Sequence, residues 1–128
     1  MLQQRALHKY HSPGLWTNTC CSHQRDGESN IAAGKRRLQE EMGFVTNLRE
    51  VTSFIYKAPL DNGLTEHELD HIMIGQYTDA PNVNPEEVAD WKWMPVAEVN
   101  SDIVAHPECY TAWFIIIFEQ FYEKIKLL

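Results

Sequence analysis

The fold is decided by the stretch ESNIAAGKRRLQEEMGF, which occupies residues 28–44. Either Ser29 or Asn30 can cap the start of a helix, because a short polar side chain accepts a hydrogen bond from a free backbone N–H of the first turn. Gly43 is a natural residue for the position just past a helix, where the backbone often turns left-handed. The stretch therefore predicts a helix over about residues 31–42.

Two pairs of opposite charges lie four residues apart on this helix, Arg36 with Glu40 and Arg37 with Glu41. Residues at this spacing share one face, one turn apart. Such pairs are most often solvent-exposed ion pairs that contribute little stability. The functional alternative is a carboxylate that binds a divalent cation beside an arginine that binds phosphate, because hard cations prefer carboxylate oxygens.

A second informative stretch is TEHELDH, residues 65–71. In a strand alternate residues share a face, so one face would carry Glu66, Glu68 and Asp70, and the two histidines would point the other way. Carboxylates two residues apart could chelate one metal ion, or raise one another's pKa for acid–base chemistry. A charged outer face on an edge strand explains the same pattern.

A third stretch, TNTCCSHQ at residues 17–24, holds two adjacent cysteines and a histidine. If a strand runs over 15–21, Cys21 and His23 share a face, and Cys20 points to the core. Cys21 beside a histidine could be an acid, a base or a nucleophile. The zinc interpretation is weak, because no second pair of ligands follows at zinc-finger spacing. A buried cysteine beside an ordinary surface histidine remains an alternative.

The rest of the chain has a mixed α and β pattern. A long amphipathic helix is expected over 110–127, where apolar residues recur every four positions, and a short helix is expected near Val96. Residues 1–6 would form a strand with no hairpin partner, which leaves an exposed edge. The expected strands cover residues 1–6, 15–21, 45–57, 66–77 and 90–94.

Composition limits the function classes. The 128 residues are 44% hydrophobic and 23% charged, which fits one globular domain with a real core. The net charge of −7 argues against nucleic acid or an anionic membrane as a bulk partner. Three cysteines cannot all pair, so a reducing compartment is favoured. No signal peptide is evident and no apolar run spans a bilayer, so we expect a cytoplasmic protein.

Taken together, these stretches resemble the type 1 isopentenyl-diphosphate isomerases, which have the Nudix fold. The resemblance covers essentially the whole chain in order. The pieces that carry it are LQQRALHK at 2–9, PGLWTNTCCSH at 13–23, AAGKRRLQEEMGF at 32–44, TEHELDH at 65–71, NPEEVADWKWM at 84–94 and YTAWF at 110–114.

The resemblance implies a fold class of α+β, an α/β/α sandwich in which helices flank a mixed β-sheet. Residues 1–128 would form a single Nudix-type domain that lacks the N-terminal segment of the family pattern, and with it the first strands. That segment carries two of the expected metal-binding histidines. No histidine of this chain takes their place. The two histidines of the family pattern precede a strand, whereas His8 and His11 come after that strand.

The Nudix box itself is altered. Its pattern runs from a glycine through a glutamate to R-E-U-x-E-E-x-G-U, where U is aliphatic. Here Ser22 takes the glycine position and Glu28 matches, but Arg37 stands where hydrolases place a glutamate. This exchange removes a metal-binding carboxylate, and it resembles the isomerase branch rather than a pyrophosphate hydrolase.

The family's chemistry implies an intramolecular shift of a double bond, from isopentenyl diphosphate to dimethylallyl diphosphate. One group protonates the terminal methylene and another removes a proton from the neighbouring carbon. By resemblance these are Glu68, expected as the donor, and Cys21, expected as the acceptor, with roles that depend on direction. Tyr56 matches a tyrosine that hydrogen-bonds the glutamate, and Trp113 matches a ring that stabilises the developing cation.

The resemblance also implies metals and a diphosphate site. One divalent ion (Mg²⁺, Mn²⁺ or Zn²⁺) would be held by the family's three histidines and two glutamates, of which His23, Glu66 and Glu68 are present. A second, Mg²⁺, would bridge the diphosphate to Glu41. The cations expected to bind the diphosphate are Arg5, Lys9 and Arg37.

The expected partner is a small isoprenoid diphosphate, with neither nucleic acid nor membrane involved, and the chain would be a monomer or a homodimer. Two alternatives stay open. One is a Nudix-type hydrolase of another diphosphate, and the other is an inactive truncated remnant that binds little or no substrate.

Overall fold

The structure is a computed structural model that describes all residues from 1 to 128. Five strands and three α-helices follow one another along the chain, with one short 3₁₀ helix before the last α-helix. Their bounds are β1 Leu2–Arg5, β2 Trp16–Thr17, α1 Asn30–Met42, β3 Leu48–Pro59, β4 Thr65–Gly75, β5 Val88–Lys92, α2 Val96–Ala105, the 3₁₀ helix Pro107–Cys109 and α3 Ala112–Ile125.

Helix α1 confirms the prediction made from its capping residues. The Ser29 side chain accepts a hydrogen bond from the backbone N–H of Ala32, so Ser29 is the N-cap. At the other end Gly43 has φ of 72° and its N–H donates to the Gln39 carbonyl at 3.1 Å. The left-handed backbone ends the helix there, because residues with a Cβ adopt this conformation at a cost.

The expectation that residues 1–6 lack a strand partner was wrong. Strand β1 lies in the middle of a three-stranded antiparallel sheet, between β2 and β5. Gln3 faces Thr17 on one side and Trp91 on the other. Local sequence could not show the second pairing, because β5 lies at the far end of the chain.

The strand predicted over 15–21 is also mostly wrong, since only β2 is paired and an extended loop follows it. Side chains supply the bonds that a ladder would have made. Asn18 donates from its own amide to the Cys20 carbonyl at 2.6 Å, and Gln3 donates to the Thr19 carbonyl at 2.8 Å. Short polar side chains compete in this way with strand pairing.

Strands β3 and β4 form a long antiparallel hairpin that closes at the Asp61-Asn62-Gly63 turn. Along β4, exposed and half-buried residues alternate from Thr65 to His71. The inner face therefore carries Glu66, Glu68 and Asp70, as the period of two predicts. The outer face carries His67 and His71, and His71 Nδ1 lies 2.6 Å from Glu50 Oε1.

The helices pack on the two sheets and confirm the α+β fold class. Helix α1 contacts β3 and β4, α3 contacts β3, and α2 packs against α3. Helix α2 is longer than the short helix predicted near Val96. Both sheets are antiparallel, and one isolated parallel bridge joins Trp16 and Tyr110. None of these helices has the length and apolarity needed to cross a bilayer.

Two groups of buried apolar residues form the core. The larger group joins α2 and α3 to β1 and β3, and the smaller one joins α1 to β5. The larger contains Leu2, Phe54, Tyr56, Ala58, Val99, Ile103, Tyr110, Trp113, Phe114 and Phe118, and the smaller contains Leu38, Met42, Phe44 and Val88.

Replacing Gly43 tests how α1 ends. In Gly43→Ala the new methyl group would overlap the backbone carbonyl of Asn82, in addition to the cost of a left-handed alanine. The matched control is Gly27→Ala, because Gly27 has φ of 80° and open space around its Cα. We expect the control to lose about 1 kcal/mol of unfolding free energy, and Gly43→Ala to lose about 1–3 kcal/mol more. Urea unfolding measures both, and equal losses would contradict this account of the helix end.

Candidate active site

A cavity of about 700 Å³ lies between the two sheets, and most of the residues that line it are hydrophobic. Its polar end brings together Cys21, His23, Glu68 and Asp70, and Trp113 also lines its wall. The sequence had assigned functions to four of these five residues from three separate stretches. The apolar walls come mainly from Leu48, Ile72, Ile74, Phe114 and Ile117.

At the polar end, the His23 imidazole contacts a carboxylate of β4. His23 Nε2 lies 3.0 Å from Glu68 Oε2, and the histidine side chain is largely exposed. Asp70 is on the same strand face, and burial together with the charges of Glu68 and Glu66 raises the pKa of Asp70 to about 6. Such crowding of carboxylates favours either a shared proton or a bound cation.

Glu66 makes a contact that the sequence analysis missed. His11 Nε2 lies 3.6 Å from Glu66 Oε1, although His11 was expected to lie outside the site. The turn at residues 11–14 carries the histidine back over the sheet, and its ring edge meets Trp113 with centroids 6.0 Å apart. The local sequence HSPG is typical of a turn, but it does not show which strand the turn will reach.

Cys21 is accessible to solvent, and it lines the cavity near the carboxylates of β4. Desolvation by the surrounding protein groups, followed by the negative charges of Asp70 and Glu68, raises the pKa of the Cys21 thiol. The accessibility of the side chain limits the first effect, but the carboxylates act in the same direction. A raised pKa makes the Cys21 thiolate a stronger base than that of a free cysteine, so it takes up a proton readily.

Cys20 is half-buried against the smaller core group, as predicted, and it also lines the cavity. Its thiol donates to Glu41 Oε2 at 3.4 Å. Glu41 is buried, and it also accepts from Gln3 Nε2 at 2.9 Å and from Arg37 Nη2 at 2.6 Å. Because both carboxylate oxygens are already bonded, a Mg²⁺ ion at Glu41 would have to displace one of these donors.

The three basic residues expected at a diphosphate site lie in two places. Arg37 and Lys9 meet at Glu87, which pairs with Lys9 and lies 3.6 Å from Arg37 Nη2. The Arg5 guanidinium lies over the Trp113 ring at 5.4 Å from its centroid, and its Nε is buried without a hydrogen-bond partner. Arg5 therefore has a free donor for an anion, whereas Lys9 and Arg37 are held by carboxylates.

Tyr56 stands opposite Glu68 in the β3–β4 register, but it does not hydrogen-bond the glutamate as the resemblance implied. Its hydroxyl is buried and has no partner. Burial, followed by the nearby Glu66 carboxylate, raises the pKa of Tyr56. Trp113 is buried and donates from Nε1 to Asn18 Oδ1 at 3.1 Å, and the Arg5 guanidinium lies over its ring.

The fit of a metal ion follows from the donor set. No three His, Cys, Asp or Glu side chains converge on one point in this structure. His23 and Glu68 already face each other, and Glu66 is the adjacent carboxylate on the same strand face. Imidazole and carboxylate are suitable ligands for Zn²⁺ or Mn²⁺. The residues therefore fit a divalent ion, if Glu66 turns from His11 toward Glu68.

Comparison with known proteins identifies the fold and the family. The NUDIX domain family model matches residues 1–114. A crystal structure of the Deinococcus radiodurans protein DR0079 aligns with a TM-score of 0.67 at 17% identity, over 86% of this chain and 74% of that one. The chain therefore belongs to the Nudix family, as the resemblance implied.

Within that family, its curated relatives are isomerases by name. The isopentenyl-diphosphate Delta-isomerase of Serratia proteamaculans is 50% identical over 117 residues, which cover 91% of this chain and 65% of the relative. The enzyme of that name from Burkholderia multivorans is 44% identical over 94% of this chain and 68% of its own length. The chain thus spans about two thirds of the length of these relatives.

The Arg37–Glu41 pair gives a prediction on stability. Arg37→Met leaves the buried Glu41 carboxylate without its cation, so we expect a loss of about 1–3 kcal/mol of unfolding free energy. In the Glu41→Gln background residue 41 carries no charge, so Arg37→Met should lower the free energy of unfolding much less. Urea unfolding of the four proteins in this double-mutant cycle gives the coupling energy. Simple additivity would contradict the assignment of a compensated buried charge.

Proposed function

We propose that the chain catalyses the isomerisation of isopentenyl diphosphate to dimethylallyl diphosphate. The observation that carries the proposal is a single apolar cavity lined by Cys21, Glu68 and Trp113. The names of the relatives support the same reaction. Because the chain spans only about two thirds of their length, the activity of these whole enzymes is inferred for it.

The reaction needs one proton donor and one proton acceptor on the two sides of the substrate. In the proposed forward step, Glu68 gives its proton to the terminal methylene, and the positive charge develops on the adjacent tertiary carbon. Cys21, as the thiolate in this protonation state, then takes a proton from the next carbon, and the electron pair of that C–H bond forms the new double bond. Charge and electrons balance, and the reverse reaction exchanges the two roles.

The cavity walls would disfavour water beside the cationic intermediate, because apolar side chains offer water no hydrogen-bond partner. Trp113 would stabilise the charge with its ring face. In the ligand-free chain Arg5 lies over that ring, and its Nε has no partner. We infer that Arg5 turns onto the diphosphate when substrate binds, which frees the ring, while Lys9 and Arg37 exchange Glu87 for phosphate oxygens.

A divalent ion held by His23, Glu66 and Glu68 would supply positive charge beside the acid–base pair. Held in this way, the Glu68 carboxylate would keep one orientation. At the second expected position, a Mg²⁺ ion on the diphosphate would compete with Cys20 and Gln3 for Glu41.

A Nudix-type diphosphate hydrolase is the second candidate, and one observation weighs against it. Arg37 lies 2.6 Å from Glu41, so the cation occupies the space beside the helix carboxylate where a metal would be expected. An inactive remnant is the third candidate, because the cavity is far larger than a five-carbon group requires.

The deciding experiment follows isopentenyl diphosphate by NMR with the purified chain and Mg²⁺. We expect formation of dimethylallyl diphosphate, and Cys21→Ala and Glu68→Gln should each reduce turnover by about 10²–10⁴-fold, the usual contribution of acid–base catalysis. Cys109→Ala is the control, because Cys109 is exposed in the 3₁₀ helix and does not line the cavity. Release of inorganic phosphate would favour the hydrolase, and a folded chain with no turnover would favour the remnant.

The metal site gives a prediction that does not depend on turnover. Mn²⁺ binding, measured by calorimetry, should weaken at least about 10-fold in His23→Ala, because a ligand is lost. His67→Ala is the matched control, since His67 is exposed on the outer face of β4 and does not line the cavity. Equal weakening in both variants would contradict the assignment of His23 as a ligand.

A further inference from the structure

We propose that Asn18 is a positioning residue that fixes the Trp113 indole and the Cys20–Cys21 backbone in one arrangement. The inference deepens the proposed function and rests on it. Asn18 belongs to the WTNTCCSH stretch, in which the assigned functions use only Cys21 and His23.

The Asn18 side chain is a hydrogen-bonded hub at the cavity. Its Oδ1 accepts from Trp113 Nε1 at 3.1 Å and from Thr17 Oγ1 at 2.7 Å. Its Nδ2 donates to the Cys20 carbonyl at 2.6 Å. One amide group therefore joins helix α3, strand β2 and the loop that carries Cys21, although Trp113 lies 95 residues further along the chain.

Two buried threonines extend this hydrogen-bond network. Thr17 and Thr111 are almost fully buried, and their hydroxyl oxygens lie 2.8 Å apart. The carbonyl oxygen of Asn18 can only accept, so Thr17 gives it the single hydroxyl proton and must itself accept from Thr111. The orientation of the Asn18 amide follows from its other two partners, because the Trp113 indole N–H can only donate and the Cys20 carbonyl can only accept.

Asn18 adds one polar restraint to each of two segments, the loop at Cys20 and the indole of Trp113. The loop after β2 has no strand ladder, so the bond to the Cys20 carbonyl replaces one and sets the position from which Cys21 leaves the backbone. Nε1 is the only polar atom of an indole, so its bond fixes the rotation of the Trp113 ring. A side chain of this size that donates and accepts at once is an amide, which explains the residue type.

The first test separates the two bonds by substitution. Asn18→Leu removes both, and Asn18→Asp keeps an acceptor for Trp113 but loses the donor to Cys20. In ¹H–¹⁵N NMR, with the indole signal assigned through Trp113→Phe, we expect the Trp113 indole proton to shift upfield in Asn18→Leu and to stay hydrogen-bonded in Asn18→Asp. Gln4→Leu is the matched control, because Gln4 donates from its amide to the Gly14 carbonyl at 3.1 Å and contacts neither segment.

The second test reads the kinetics of isopentenyl diphosphate turnover. Misplacement of the reacting groups should lower kcat by about 10²-fold in Asn18→Leu. KM should change little, because the basic residues that would bind the diphosphate are untouched. The kcat of Asn18→Asp should lie between those of Asn18→Leu and the unsubstituted chain. Gln4→Leu should keep its kcat. An unshifted indole proton in folded Asn18→Leu, or equal kcat losses in Asn18→Leu and Gln4→Leu, would overturn the proposal.

The two tests also separate this proposal from the proposed function. If the unsubstituted chain shows no isomerase turnover, the proposed function fails, and the kinetic role of Asn18 fails with it. The indole shift still decides whether Asn18 holds Trp113 in the folded chain.

Discussion

The arrangement of the site depends on one buried carboxylate, that of Glu41. A charged group removed from water is stable only if its oxygens are hydrogen-bonded and its charge is compensated. Here the donors come from three different parts of the chain: Arg37 from helix α1, Gln3 from strand β1 and Cys20 from the loop after β2. Satisfying one carboxylate therefore brings together the helix, the sheet and the segment that leads to Cys21.

The parts of the fold that follow from local physics were predictable. Ser29 and Gly43 mark the ends of α1 because caps act on the residues beside them. The face of β4 that carries Glu66, Glu68 and Asp70 follows from the period of two in any strand. Cys20 and Cys21 were assigned correctly to the core and to the cavity, although the loop that holds them is not the strand from which the assignment was made.

The parts that could not be predicted depend on contacts between distant residues. The pairing of β1 with β5 spans most of the chain, and nothing within residues 1–6 indicates it. His11 reaches Glu66 because the turn that follows β1 folds over the other sheet. The bond from Trp113 to Asn18 likewise joins two segments whose separate patterns predict only a helix and a strand. Family resemblance supplied roles for residues, but not the partners that hold them in this chain.

The exchange of a box glutamate for Arg37 has a consequence beyond the loss of one metal ligand. With Arg37 beside it, Glu41 is compensated, and α1 no longer has an excess of negative charge at this position. The uncompensated carboxylates of the cavity lie instead on β4, where the raised pKa of Asp70 reports their mutual repulsion. A divalent cation is attracted to the position where negative charge is in excess and donors are free. In our proposal the metal ion therefore binds on the strand beside His23, next to Cys21 and Glu68, rather than on the helix that carries the Nudix box.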